Sequence, residues 1–397
     1  MRLTRLALRD FRSYREAAAE FRAPVNVVVG PNAQGKTNLL EAIYLLGTFK
    51  SFRTAHNRDL IRLGADAATV AGAVEDGGVV RDLEVVLTPA GRRARVNRKP
   101  VRSLQEFFGA CPVVLFAPDD LALAKGAPAG RRRFLDRAIF TGHPAYLPAL
   151  QAYLAAVQQK QALLRAGQGR GGAPSEAATR EAWDAALVRH GVEVIRRRAR
   201  LAAALAPHLA EAYRRVAGPG AGEATLAYRP GARVNPAALA ETLVADLAAA
   251  VAEAGPEERR RGAVLVGPHR DDLLLTLDGR DVRLFASQGE QRSVVVALKL
   301  AELALLTEQL GTPPLFLLDD VASELDAGRR RGLFDAVAMA GAQVFLTATA
   351  LDAEMCAQLL DFETFSVVQG RVEPVPGKPL TPPGPQAITV TPPVPGS

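Results

Sequence analysis

Cysteine is nearly absent: Cys111 and Cys356 are the only two in 397 residues. Two thiols cannot supply a structural zinc site of the usual four-ligand kind. Both sit beside apolar residues and read as buried free thiols. Long uncharged apolar runs are missing too, so no stretch reads as a membrane span. The start, Met1-Arg2-Leu3-Thr4-Arg5, lacks the apolar core of a secretory signal. A cytoplasmic protein without a membrane partner is expected. Acidic residues are in deficit: 42 Asp and Glu face 49 Lys and Arg, a net charge of +7. An excess of positive charge suits a polyanionic partner such as nucleic acid, although ATP and acidic proteins are polyanions as well. The rest of the composition, 48% hydrophobic and 23% charged, is ordinary for a globular chain. The length allows two or more domains.

The stretch that organises the chain is Gly30-Pro31-Asn32-Ala33-Gln34-Gly35-Lys36-Thr37, which fits G-x-x-x-x-G-K-[ST] at every fixed position. The β-branched run Val25-Asn26-Val27-Val28-Val29 precedes it and reads as a buried strand. Asn38 to Leu46 follows with apolar residues at helical spacing. Strand, glycine loop and helix form the context the motif needs, in which loop N–H groups and the helix N-terminus cradle phosphate. Gly30 through Asn38 are thus candidate ATP contacts. Lys36 is the candidate catalytic cation on the β- and γ-phosphates, and Thr37 a candidate Mg²⁺ ligand.

Upstream, Leu3, Leu6, Leu8, Phe11, Phe21 and Val25 alternate as in two strands feeding the loop. Arg9, Arg12 and Arg15 interleave with Phe11 and Tyr14. This cluster reads either as a stacking surface for adenine or as a half-exposed strand with solvated arginines. Residues 48–103 alternate between hairpin-type turns and read as an antiparallel sheet. Arg92, Arg93, Arg95, Arg98 and Lys99 form a basic hairpin, plainly a solvated face but also a candidate nucleic-acid contact. Val113–Phe116 is a second buried strand.

From about Asp119 to Arg261 the composition turns Ala-, Leu- and Arg-rich. Helices are expected over Gly130–Phe140, Pro148–Arg165, Glu176–Leu209 and Ala237–Ala254. The Gly-rich segment 167–174 reads as the tip of a helical hairpin. Arg131-Arg132-Arg133, Arg196-Arg197-Arg198 and Arg259-Arg260-Arg261 lie on this insertion and suggest a basic surface. The expected division is 1–117 and 262–370 as two parts of an ATPase head, 118–261 as an inserted helical arm, and 371–397 as a tail. Nine prolines between Pro374 and Pro395 make that tail extended or disordered.

The second half carries its own chemistry. Val264-Leu265-Val266 opens a return to strand, followed by His269, Asp271 and Asp272. A strand does not aim these three at one point, so a metal or acid–base role is disfavoured. Ser287 and Glu290 form a capping box at the head of an amphipathic helix over Gln291–Leu310. Leu315-Phe316-Leu317-Leu318-Asp319-Asp320 is the Walker B pattern, an apolar strand ending in carboxylates. Asp319 is the candidate Mg²⁺ ligand. Asp320 is the candidate base or water-positioner. Residues 343–349 form a last buried strand ending in hydroxyls.

The order of these motifs, with Ser287-Gln288-Gly289-Glu290-Gln291-Arg292 ahead of Walker B and Ser323-Glu324-Leu325-Asp326 after it, resembles the ABC-type ATPase head of SMC-class proteins. More narrowly, the chain resembles the RecF family. That resemblance rests on Leu8–Tyr14, Gly30–Thr37, Ser51–Thr54, Phe116–Leu121, Gly130–Arg133, Gly267–Asp272 and Ser287–Arg292, and spans about 1–370. It implies an α/β fold, an ABC-type P-loop head with a mixed sheet and flanking helices, interrupted by a mainly helical arm. It also implies an ATP- and Mg²⁺-dependent homodimer in which Ser287, Gln288, Gly289 and Glu290 meet the nucleotide of the opposite subunit. The implied partners are DNA, gripped near single-strand gaps, with RecO and RecR in loading RecA. Arg92, Arg93, Arg131, Arg132 and Arg133 are the candidate DNA contacts. Hydrolysis is expected to be slow and to act as a switch.

Three departures from the wider ABC pattern stand out. Asp320 replaces the usual Glu, Thr347-Ala348-Thr349 stands where a switch histidine is expected, and no Q-loop glutamine is evident, with Asp119 or Asp120 as substitutes near Mg²⁺. Two rival readings are an SMC-type chromosome organiser, disfavoured by the lack of a long heptad coil, and a transporter-type ATPase subunit, disfavoured by the missing histidine. A nuclease-coupled ATPase is a third, disfavoured by the absence of a carboxylate-rich domain after the head.

Overall fold

The computed structural model describes residues 1–375 except 104–106, 168–173, 219, 321–324, 352 and 360. In chain order the main elements are β1 (Arg2–Phe11), β2 (Tyr14–Glu20), β3 (Val25–Val29), α1 (Lys36–Thr48), β4 (Ala68–Asp76), β5 (Val79–Thr88), β6 (Gly91–Val96), β7 (Lys99–Pro100) and β8 (Val113–Phe116). Then come α2 (Pro128–Gly142), α3 (Tyr146–Ala166), α4 (Pro174–Ala217), β9 (Ala224–Arg229), α5 (Ala240–Arg261), β10 (Asp272–Leu277), β11 (Arg280–Asp281) and α6 (Gln288–Leu310). The chain closes through β12 (Leu315–Leu318), α7 (Ala327–Ala340), β13 (Val344–Ala348), α8 (Ala353–Gln358), β14 (Phe362–Val368) and β15 (Arg371–Pro374).

A mixed sheet of order β15-β14-β3-β13-β12-β8 forms the centre. All its neighbours pair in parallel except β14 with β15. Parallel strands are covered on both faces and read as unbroken apolar runs. Accordingly Val27, Phe316, Leu317, Leu318 and Phe345 are all fully buried. Each such side chain contributes about 1.5–3 kcal/mol of hydrophobic stabilisation. The register matches Leu318 with both Phe116 and Leu346, and Ala348 with Val29. The carboxyl ends of four strands therefore meet along one edge, the place where open α/β sheets take ligands.

The antiparallel sheet expected before residue 103 is present, with order β2-β1-β4-β5-β6-β7. Its inner face packs Leu6, Leu8, Val70 and Val85 against α1. Phe11 and Tyr14 are both fully buried in that same core. Neither ring can stack on a base, so the adenine reading of this cluster is corrected: the aromatics serve packing.

The insertion is mainly helical, as the resemblance implies. Its helices run longer than expected, and β9 lies among them, pairing antiparallel with β10, which pairs with β11. The signal was the alternation in Ala224-Thr225-Leu226-Ala227-Tyr228, obscured by its alanine content. Residues 264–266 form no strand, and 282–285 form a single helical turn. Of the hairpin tip expected at 167–174 and the tail expected at 371–397, residues 168–173 and 376–397 lie outside the described residues; Arg371–Pro374 correct the tail's start, since they pair with β14 as β15. Among the described residues no helix is long and apolar enough to cross a membrane. Cys111 is buried as expected, and burial pushes its thiol up to about 12, whereas Cys356 is half-buried.

Buried ions fasten the arm. Arg198 forks onto Asp136 at 2.8 Å from both nitrogens, and reaches Asp271 at 3.3 Å and the Pro268 carbonyl at 2.6 Å. Asp271 also accepts from the Tyr228 hydroxyl on β9 and the Gly231 N–H. His269 pairs with Tyr153 at 2.6 Å, and burial pulls its pKa down to about 4. His269, Asp271 and Asp272 thus face separate partners, and no metal cluster exists among the described residues. Removing one member of a buried charge network strands the others, at a cost of about 3–5 kcal/mol. Arg198→Met should lower unfolding stability by about that amount in urea titration. A loss below about 1 kcal/mol would show that the network does not hold the arm.

Candidate nucleotide site

The phosphate loop leaves β3 through backbone conformations that exclude most side chains. Gly30 and Gly35 have φ of +154° and +117°. A Cβ on Gly30 would lie 2.3 Å from the Val367 carbonyl oxygen, and one on Gly35 would lie 2.8 Å from Ser13 Oγ. Glycine is therefore required by contact as well as by dihedral. From below, the buried Tyr14 hydroxyl donates to the Gly35 carbonyl at 2.8 Å. Gln34 Oε1 accepts the Gln369 N–H at 2.8 Å, tying the loop to the turn after β14. Helix α1 starts with no side-chain cap, so its first N–H groups are left to the loop cradle. Lys36 is only 8% exposed, and its ammonium donates to the Gly30 and Pro31 carbonyls at 2.7 and 3.0 Å. The cation is thus folded back onto the loop's own carbonyls.

Asp319 emerges at the carboxyl end of β12, facing the loop. Thr37 Oγ1 and Thr347 Oγ1 each donate to Asp319 Oδ1 at 2.9 Å. Burial lifts the Asp319 carboxyl above the ordinary range, with both hydroxyls pulling the other way. A carboxylate this enclosed is costly unless a cation joins it. The oxygen donors Thr37 Oγ1 and Asp319 Oδ1 fit the hard-ligand demand of Mg²⁺. Asp320 has φ +51°, a left-handed conformation that Asp tolerates. Its N–H donates to Thr347 Oγ1 at 2.8 Å. Thr347 therefore fixes both carboxylate residues, a role that its place at the strand end signalled only as a hydroxyl.

Glu41 was missed. It is fully buried in α1, where Arg12 forks onto it at 2.8 Å from both Nε and Nη2. The signal was an acid inside the otherwise apolar helix 38–46. Arg53 donates to Asn38 Oδ1 at 2.9 Å, and Asn38 donates to Ser13 Oγ at 3.0 Å. Arg12, Ser13, Asn38, Arg53 and Arg58 line a cavity of about 450 Å³ beside the loop. Asp120 is turned away from this centre: it accepts the Ala117 N–H at 3.0 Å and faces Arg137 at 3.7 Å. The suggestion that it serves near Mg²⁺ is corrected, and Asp119 is exposed at the strand exit.

The signature turn forms as its capping box predicts. Glu290 N donates to Ser287 Oγ at 3.3 Å, and Ser287 N donates to Glu290 Oε2 at 2.7 Å. Ser287 and Gln288 are exposed, while Gly289 and Glu290 are half-buried. The turn makes no hydrogen bond to its own phosphate loop among the described residues. Ser323 and Glu324, expected as part of the following loop, lie outside the described residues.

The predicted basic contacts divide. Arg131 is 4% exposed, forked onto Asp272 at 2.6 and 2.9 Å and bonded to the Leu123 and Gly126 carbonyls. Arg132 donates to the Asp271 carbonyl at 2.8 Å, and Arg92 to Asn57 at 2.6 Å. These three are tied into the fold, which corrects their reading as DNA contacts. Arg93 and Arg133 are exposed.

The RecF/RecN/SMC N terminal domain family matches residues 2–371. The DNA replication and repair protein RecF of Anaeromyxobacter sp. (strain Fw109-5) is 45% identical over 349 residues, covering 88% of this chain and 92% of the relative. RecF of Geobacter sulfurreducens is 41% identical over 382 residues, covering 94% and 100%. The structure is similar to that of the recombination mediator protein RecF-ATP in the RecFOR pathway, at a TM-score of 0.84 and 27% identity over 94% and 97% of the two chains. An Smc head domain from Pyrococcus furiosus shares the fold, at a TM-score of 0.52 and 18% identity over 94% and 95%. By the family match over residues 2–371 and relatives at 41–45% identity over most of its length, this chain belongs to the RecF family of ABC-type ATPase heads.

Proposed function

We propose that this chain is an ATP-dependent DNA-binding protein of recombinational repair and replication-fork maintenance. ATP and Mg²⁺ close two copies into a dimer that grips DNA near single-strand gaps. Slow, DNA-stimulated hydrolysis reopens it, so that ATP acts as a timer. In this reading the protein works in the cytoplasm and helps load RecA with RecO and RecR. The observation that carries the reading is the split site: the phosphate cradle and the Thr37–Asp319–Thr347 cluster sit on one edge, while the signature serine stands exposed and makes only local hydrogen bonds. A helix N-terminus with an available hydroxyl is an anion site, and a second copy brings one to each nucleotide.

In the mechanism, Lys36 leaves the Gly30 and Pro31 carbonyls for the β- and γ-phosphates. Thr37 and Asp319 would hold Mg²⁺, which would supply neutralisation of phosphate charge. Asp320, fixed through its N–H by Thr347, orients or deprotonates the attacking water. Its carboxyl is one methylene shorter than Glu, which fits a slow reaction. Exposed Arg93 and Arg133 are the members of the predicted basic set that could reach a DNA backbone.

The central test is sedimentation with and without ATP–Mg²⁺, in parallel with duplex DNA. An ATP-dependent dimer that co-sediments with DNA is expected, and a monomer indifferent to both would overturn the reading. Lys36→Ala should weaken ATP binding by about tenfold or more, the worth of its charge-assisted bonds. Unchanged affinity by equilibrium titration would remove that role. Ser287→Arg should leave monomer ATP affinity intact and block the dimer, so a normal ATP-dependent dimer in that variant sinks the trans contact. Asp320→Asn should retain ATP binding and dimerisation while slowing hydrolysis by about 10²-fold or more, measured by phosphate release.

A further inference from the structure

The signature turn carries a built-in conflict. Its first helical turn holds the Glu290 carboxylate, which caps Ser287 and whose pKa is held low by the bonds from Ser287. That places a negative charge at the helix end where an anionic phosphate would approach. The Asp278 carboxylate adds to that negative field, and the Arg329 guanidinium opposes it. Arg329, in the first turn of α7, lies so close that a Cβ on Gly289 would fall 2.8 Å from its Nη2. Its Nε donates to Ser293 Oγ at 2.7 Å, and Ser293 in turn donates to the Gly289 carbonyl at 3.1 Å. At its other end, Arg329 pairs with Asp326 through the guanidinium, and its N–H donates to Asp326 Oδ1 at 2.9 Å. Ser293 is 1% exposed, so the fork is anchored in the core while the guanidinium stays partly open.

This bracket joins two segments distant in sequence: the start of α7 with its cap Asp326, and the signature helix. It also explains the glycine at 289, since a side chain there would displace the guanidinium. Resting on the dimer reading above, we propose that Arg329 is a positioning residue for the trans phosphate contact. It holds the signature turn against the start of α7, and it offsets the Glu290 charge so that the partner's nucleotide can seat at Ser287. A purely structural strut would need only the bonds to Ser293 and Asp326. Charge compensation adds a requirement that depends on Glu290.

The test compares wild type, Arg329→Gln, Glu290→Gln and the double variant in ATP–Mg²⁺. Monomer affinity is read with a fluorescent ATP analogue at high dilution, and the dimer dissociation constant by sedimentation. Gln at position 290 keeps the capping box while removing the charge. Arg329→Gln should leave monomer ATP affinity within about twofold and weaken the dimer by about tenfold or more, because the change enters twice in a symmetric dimer. Adding Glu290→Gln should recover most of that loss. An Arg329→Gln protein that dimerises like wild type overturns the proposal, as does a double variant with no recovery. In both cases the dimer reading survives, because wild type still dimerises. A wild type that remains monomeric in ATP removes the dimer reading itself and the proposal with it.

Discussion

The parallel pairing of β3, β13, β12 and β8 is the constraint on which the rest depends. Because these four strands run in register, their carboxyl ends coincide along one edge. The phosphate loop, Thr347, Asp319 and the exit of β8 are delivered to that edge by geometry common to every open parallel sheet. The apolar side chains that hold the strands together have no chemistry of their own. Their burial gives the register its energy, and the register aligns Thr37 with Asp319 across 282 residues of sequence.

Around that centre, buried charges set orientation. Arg12 on Glu41, Arg131 on Asp272 and Arg198 between Asp136 and Asp271 each close a junction between elements that apolar packing alone leaves free to slide. Such pairs add little net stability over apolar replacements, but each half strands its partner when lost. A fourth junction combines Lys299 and Glu302 on the signature helix with Arg137 on α2 and Asp120 after β8. The nucleotide edge, the arm and the signature helix are therefore mechanically continuous. That continuity is what an ATP-gated clamp needs if closing at one site is to be felt at another.

Several motifs were legible in the chain because their chemistry is local. The glycine loop with Lys36 and Thr37, the Ser287–Glu290 capping box and the Asp319-Asp320 strand end each need only neighbouring residues to form. The alternation before residue 103 and the helical periodicity after it were legible for the same reason. What failed was anything decided by distant partners. Phe11 and Tyr14 looked like a stacking platform, yet both rings are fully buried in the core while Arg9 and Arg15 beside them are exposed. Arg131 looked like a surface cation until Asp272, from the far side of the arm, claimed it. The strand at 224–229 is alanine-rich and gains its extended form from pairing with β10.

The amino-acid sequence by itself determined the phosphate-binding loop after its buried strand and the capped signature helix. Tertiary structure alone decided that Thr347 grips both Asp319 and Asp320, that Glu41 is an internal counter-ion, and that Arg131 and Arg198 are buried in ion pairs while Arg93 and Arg133 stay exposed. It also brought Arg329 against Gly289. The physical reason is the range of the forces. Backbone conformation and capping are settled within a turn of chain, whereas burial and ion pairing depend on which remote segments the sheet register brings together.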